Sequence, residues 1–118
     1  MIIGMCSRLS SLDVKRKETG RGKVRLRMGF REVERGLRAN RIVLVVLAGN
    51  LERGEKIEEH VGKIVDEAGG RGVKVVRKWN ARKVGKMVGK KVKVSVVGVE
   101  NVEGAEGEWK KIKKILGE

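Results

Sequence analysis

Apolar residues fall along this chain in two spacings, and the switching between them predicts the elements. Ile42–Val43–Leu44–Val45–Val46–Leu47–Ala48 is an unbroken apolar run rich in β-branched residues, as in a strand covered on both faces. Val73, Val75 and Val76 predict a second buried strand, and Val92, Val94, Val96, Val97 and Val99 a third. Lys23 to Met28 alternates, with Val24, Leu26 and Met28 set against Arg25 and Arg27. That alternation predicts a half-buried strand. Elsewhere the apolar positions recur every three or four residues. Phe30, Val33 and Leu37 mark a helix from about Phe30 to Arg38. Ile57, Val61, Ile64, Val65 and Ala68 mark another over Glu55 to Ala68. Val84, Met87 and Val88 give a short one from Ala81, and Trp109, Ile112, Ile115 and Leu116 a closing one within Gly104 to Leu116.

The boundaries carry suitable residues. Asn40 sits where a helix C-terminus turns. Glu55, Glu58 and Glu59 occupy the first turns of their helix, where a carboxylate favours the helix dipole. Gly69–Gly70–Arg71–Gly72 terminates it, Asn80 caps the next helix, and Gly89–Lys90–Lys91 makes a tight basic turn. Proline is absent and glycine numbers 17, so glycine and asparagine make the turns, Gly49–Asn50 among them. Helices alternating with buried strands imply an α/β domain whose sheet is covered on both faces. Residues 1–22 show no sustained period and read as a flexible basic N-terminal arm, with Gly20 and Gly22 near its end; residues 23–118 form the domain.

Charge narrows the function. The net charge is +14 and the pI about 10.4, a surface that binds polyanions by releasing their counterions. An anionic membrane is the competing polyanion, but no long basic amphipathic helix shows bulky aromatics on its apolar face. No run of 18 apolar residues occurs. One cysteine, Cys6, and one histidine, His60, cannot build the usual zinc sites. Cys6 reads as an inert thiol and His60 as a solvated helical residue. The expected setting is intracellular and reduced, in the cytoplasm and also the nucleus, with the chain a monomer. No cofactor is expected. Neither Gly20–Arg21–Gly22 nor Gly69–Gly72 sits between a strand and a helix as a dinucleotide loop must. No Walker sequence or nucleophile elbow occurs, so the chain reads as a non-enzyme.

The stretch Gly29–Phe30–Arg31–Glu32–Val33–Glu34–Arg35 stands out. A helix N-terminus offers backbone N–H groups to a phosphate, and glycine lets an RNA backbone approach. Arg31 and Arg35 can donate to guanine O6 and N7, or to phosphate. Glu32 can accept from guanine amino and imino groups, which no cation can do. A plain surface Arg–Glu pair remains the alternative.

Four phrases in order, Gly29-Phe-Arg-Glu-Val33, Asn80-Ala-Arg-Lys-Val-Gly85, Val94-Ser-Val-Val-Gly-Val99 and Gly104-Ala-Glu, resemble the kink-turn RNA-binding family of ribosomal proteins, the L-seven-Ae and L-thirty-e type. The wording is nearest the branch that binds the SECIS element of selenoprotein messages. The resemblance implies a three-layer α-β-α sandwich with a mixed, mostly four-stranded sheet. It implies binding of a kinked stem with tandem sheared G·A pairs, and a role in selenocysteine incorporation with the ribosome and the selenocysteine elongation machinery as partners. Ribosomal, snoRNP and RNase P proteins are the alternatives within the family. The family motif Gly-x-Asn-Glu-x-x-Lys maps onto Gly29, Arg31, Glu32 and Arg35, with arginine in place of asparagine as in the SECIS-binding branch. The second contact surface maps onto Gly89, Lys90, Lys91, Val92 and Lys93, where apolar residues normally pack on a flipped base. Lys90, Lys91 and Lys93 turn that loop toward phosphate. Arg82, Lys83 and Lys86 lie where family members hold the RNA backbone. Trp79 is a strand-end residue that could stack on a base but more simply packs against a helix.

Overall fold

A computed structural model describes residues 2–19, 25–49 and 55–116. Gly20, Gly22, Lys23, Val24 and Asn50 lie outside them, so the start of the alternating strand is not described, nor is Asn50 of the turn that follows the apolar run. In chain order the elements are α1 (Ile2–Thr19), β1 (Leu26–Met28), α2 (Phe30–Arg38), β2 (Leu44–Leu47), α3 (Glu55–Gly70), β3 (Lys74–Val76), α4 (Ala81–Met87), β4 (Val96–Val99) and α5 (Glu106–Ile115).

The sheet has the order β1-β4-β2-β3. β2 and β3 run parallel, with Val45 opposite Val75. β4 runs antiparallel to both its neighbours, pairing Val46 with Val97 and Met28 with Val97. Side chains on a strand alternate between faces, and the two central strands are apolar on both. Leu44, Val46, Val97 and Val99 join one buried cluster with Met5, Leu9, Val84, Met87 and Ile112. Val45, Leu47 and Val96 join the other with Val33, Leu37, Ile42, Ile64 and Ala68. The chain is therefore a three-layer α-β-α sandwich, with α1, α4 and α5 on one face and α2 and α3 on the other.

Two glycines let these layers close. Gly98 on β4 faces α2, where a Cβ would stand 2.9 Å from Ile42 Cδ1 and 3.3 Å from Val33 Cγ2. Gly36 on α2 meets the same Ile42, at 2.7 Å. A Cβ at either position would force the Ile42 side chain to shift, so the two bare positions let α2 lie close on a well-packed sheet.

Five expectations need correction. The basic arm over 1–22 is instead helix α1 over Ile2–Thr19, with Met5, Cys6 and Leu9 wholly buried. These residues recur at helical spacing, and burying each larger side chain is worth about 1.5–3 kcal/mol. The strand expected from Val92 begins only at Val96, and Val92 is 69% exposed. Residues 88–95 turn their backbone groups to α4 and β2 instead, Val94 N–H donating to Ala81 O and Ala48 N–H to Ser95 O. β3 lies at the sheet edge, so it is half-covered and not buried. Ile115 is 68% exposed, although it continues the stripe of Ile112. Gly69 and Gly70 belong to α3, and Arg71 and Gly72 form the turn after it, Gly72 with φ 70°.

Candidate nucleic-acid interface

Antiparallel pairing brings several chain segments to one end of the sheet. β1 ends there at Met28, β4 begins there at Val96, and β2 ends there at Leu47. Gly29, with φ 91°, turns the chain from β1 into α2 and donates its N–H to Val96 O at 3.1 Å. That positive φ is strained for any residue with a Cβ. The start of α2 is thus fixed beside the last residues of the 88–95 loop. The two basic segments identified separately in the sequence therefore lead to the same end of the sheet.

The first surface is the opening turn of α2. Phe30, Val33 and Leu37 face the second cluster, which leaves Arg31, Glu32 and Arg35 outward. Phe30 is held from the side by His60 of α3, ring centroids 5.2 Å apart and planes 16° apart. His60 is exposed, as expected, but it also packs on Phe30. Arg31 is exposed and forms no ion pair among the described residues. Glu32 Oε2 accepts from Arg27 Nη1 at 3.2 Å, and Arg35 Nη1 approaches Oε1 at 3.8 Å. Arg27 also donates from Nε to Glu100 Oε2 at 2.5 Å. That hydrogen bond pushes the Arg27 guanidinium above its ordinary pKa, outweighing partial burial. Arg27, Glu32, Arg35, Gly36, Ala39 and Arg41 line a cleft of about 260 Å³.

The second surface joins α4 to the loop that follows it. Asn80 Oδ1 accepts from Lys83 N–H at 2.8 Å and caps α4 as expected. Inward Ala81, Val84 and Met87 leave Arg82, Lys83 and Lys86 exposed. Gly85 faces the loop, and a Cβ there would overlap Val92 O. Lys90 N–H donates to Gly85 O at 2.9 Å, and Gly89 turns the chain with φ 72°. Ser10 of α1 donates from Oγ to Val88 O at 2.5 Å. The loop is therefore anchored by α4 on one side and α1 on the other. Arg82, Lys86, Lys90, Lys91, Val92 and Lys93 line an open concavity of about 750 Å³. None of its five cations has an ion-pair partner among the described residues. Such unneutralised charge in a concave surface focuses attraction on a polyanion.

Every site residue named from the sequence falls on these two surfaces. The supports were not named: Arg27, Glu100, Gly85 and Ser10. Gly85 stood in the quoted Asn80–Gly85 phrase, but the collision that requires it is with a residue of the following loop. Trp79 packs against the core and lines an apolar groove with Ile2, Val76, Ile112, Ile115 and Leu116. Lys78 Nζ lies 5.8 Å from its ring centroid. Among the described residues no cluster of three or more histidine, cysteine or acidic side chains could hold a metal ion. No described helix is long and apolar enough to cross a membrane.

The model of the ribosomal protein L7Ae/L30e/S12e/Gadd45 family matches residues 12–107. The chain belongs to this family. The match starts inside α1 and takes in both basic surfaces. The human protein selenocysteine insertion sequence-binding protein 2-like is 31% identical over 107 residues, covering 86% of this chain. The chain spans about a tenth of that relative's length (10%). The chain is thus placed with a ribosomal-protein family and beside a relative named for binding the selenocysteine insertion sequence.

Two solved structures share the fold. The 15.5 kD RNA binding protein of Giardia lamblia superposes with a TM-score of 0.73 at 14% identity, over 93% of this chain and 79% of that one. A protein of unknown function from Bacillus halodurans superposes at 0.69 and 16% identity, over 96% and 97%.

Proposed function

We propose that this chain is an RNA-binding module for a kinked stem with tandem sheared G·A pairs, the SECIS element of selenoprotein messages being its target. In this reading Arg31, Glu32 and Arg35 meet the exposed edges of the sheared pairs. Arg82, Lys83, Lys86, Lys90 and Lys91 hold the flanking phosphates, and Val92 offers an apolar surface to an unstacked base. The A-form major groove is closed to side chains, so RNA of this kind is read through non-canonical pairs and shape. Bound RNA would be tethered to the ribosome and the selenocysteine elongation machinery.

One observation carries the reading. Glu32 is an acceptor held in a cleft of arginines, in a protein that also carries an open concavity of cations. A surface evolved only for phosphate has no use for it, because the acid weakens polyanion binding. The relative with SECIS-binding in its name and arginine at position 31 support this branch over ribosomal, snoRNP and RNase P kink-turns.

The test is titration of three RNAs at one salt concentration: a SECIS stem, a generic kink-turn and a fully Watson–Crick stem. Tightest binding to the SECIS stem supports the proposal. Preference for the generic kink-turn moves the chain to another branch. Equal binding of all three reduces it to a polycation. Lys91→Ala should weaken binding to every RNA alike and reduce the salt slope by about one.

A further inference from the structure

Glu32 does not stand alone. Arg27, on β1 opposite Gly98 of β4, holds two carboxylates with one guanidinium. Its Nε reaches Glu100 Oε2 at 2.5 Å and its Nη1 reaches Glu32 Oε2 at 3.2 Å. Glu100 follows β4 directly, donates its N–H to Arg25 O at 2.8 Å, and has a side chain only 15% exposed. The Arg27 side chain is 27% exposed. The sheet therefore fixes Glu100, Glu100 fixes Arg27, and Arg27 fixes one oxygen of Glu32. Arg35 is the looser partner, 74% exposed and 3.8 Å from Oε1.

We propose that Arg27 and Glu100 are positioning residues that preset Glu32 for base readout, occupying Oε2 and leaving Oε1 to accept from a nucleobase. The inference rests on Glu32 being the base-reading group. A free glutamate on a helix surface spreads over many rotamers, and freezing them on binding costs affinity. Held in advance, the carboxylate loses less. Arg35, lightly held, is able to leave Oε1 and turn to RNA. Arginine suits the task because its planar fork spans two carboxylates, whereas a lysine ammonium is a single point.

Charge alone predicts the opposite for Glu100. Its carboxylate adds negative charge close to the RNA-facing cleft, so an electrostatic account expects tighter RNA binding without it. The clamp expects weaker specific binding.

The experiment uses the full chain and two hairpins, one with tandem sheared G·A pairs and one with those pairs replaced by G·C. Affinities are measured for Arg27→Lys, Glu100→Gln, Glu32→Gln and the double variant Arg27→Lys/Glu32→Gln, with thermal unfolding followed for each. Arg27→Lys keeps the charge. It should weaken the G·A hairpin about tenfold, the scale of one charge-assisted hydrogen bond, and leave the G·C hairpin within about twofold. In the Glu32→Gln background it should change the G·A preference no further. Glu100→Gln, the variant closest in shape, should also lower the G·A preference.

Losses from Arg27→Lys and Glu32→Gln that multiply would overturn the clamp, as would tighter binding of both hairpins by Glu100→Gln. Equal weakening of both hairpins alongside a lowered melting temperature would assign Arg27 to the fold alone. If Glu32→Gln left the G·A preference intact, the base-readout reading would fall first, and the clamp with it.

Discussion

Gly85 of α4 lies against the carbonyl of Val92, so close that a single methyl group on its Cα would overlap the oxygen. This contact explains how a long basic loop is held in one shape over a short helix. The backbone, and not a side chain, sets the distance.

Gly85→Ala should therefore destabilise the protein by about 1–3 kcal/mol, the usual cost of overpacking. It should do so even though alanine is the better helix former by about 1 kcal/mol. Gly62 is the control, since it lies within α3 with open space at its Cβ position. Gly62→Ala should stabilise by about 0.5–1 kcal/mol. Urea unfolding of both variants checks the pair, and RNA affinity should fall only for Gly85→Ala, as the loop moves.

The N-terminal helix makes a second prediction. Leu9 is wholly buried against β-strand and α4 residues. Leu9→Ala should cost about 2–5 kcal/mol, a large share of the 5–15 kcal/mol typical of a domain. A solvated tail would show almost no change in the unfolding midpoint.

Cys6 gives a pH dependence. Burial pushes its thiol up from 9.0 to about 12. The unfolded chain thus loses this proton first, and above pH 9 it binds fewer protons than the folded chain. Stability from this group is complete below pH 9 and falls as pH rises toward 12. Between pH 8 and pH 10 the wild type should lose about 1 kcal/mol more than Cys6→Ala, measured by urea unfolding at each pH. The same burial should keep iodoacetamide from labelling the folded protein at pH 8.

Much of this was legible in the sequence, for physical reasons. The helix Phe30–Arg38 and the cap at Asn80 rest on local periodicity and local hydrogen bonds, and both are found where expected. The two-faced burial of β2 follows from an unbroken apolar run. What escaped depends on long-range partners. Ile2, Met5, Cys6 and Leu9 carried a helical period, but the basic residues from Lys15 onward masked it. Val92 and Val94 alternate like a strand, yet their loop finds its backbone partners in α4. Arg27 and Glu100 lie 73 residues apart and are joined only by the register of β1 against β4. The candidate acid and cations were named from local sequence and from the family resemblance; the residues that hold them still, being distant in the chain, were not.

The most direct measurement is the affinity of Glu32→Ala for a SECIS stem at fixed salt, set against wild type. Base readout predicts binding weaker by about 1–3 kcal/mol, with the Watson–Crick stem unaffected or bound slightly tighter. Tighter binding of the SECIS stem would show that the acid only opposes the RNA, and would contradict the account.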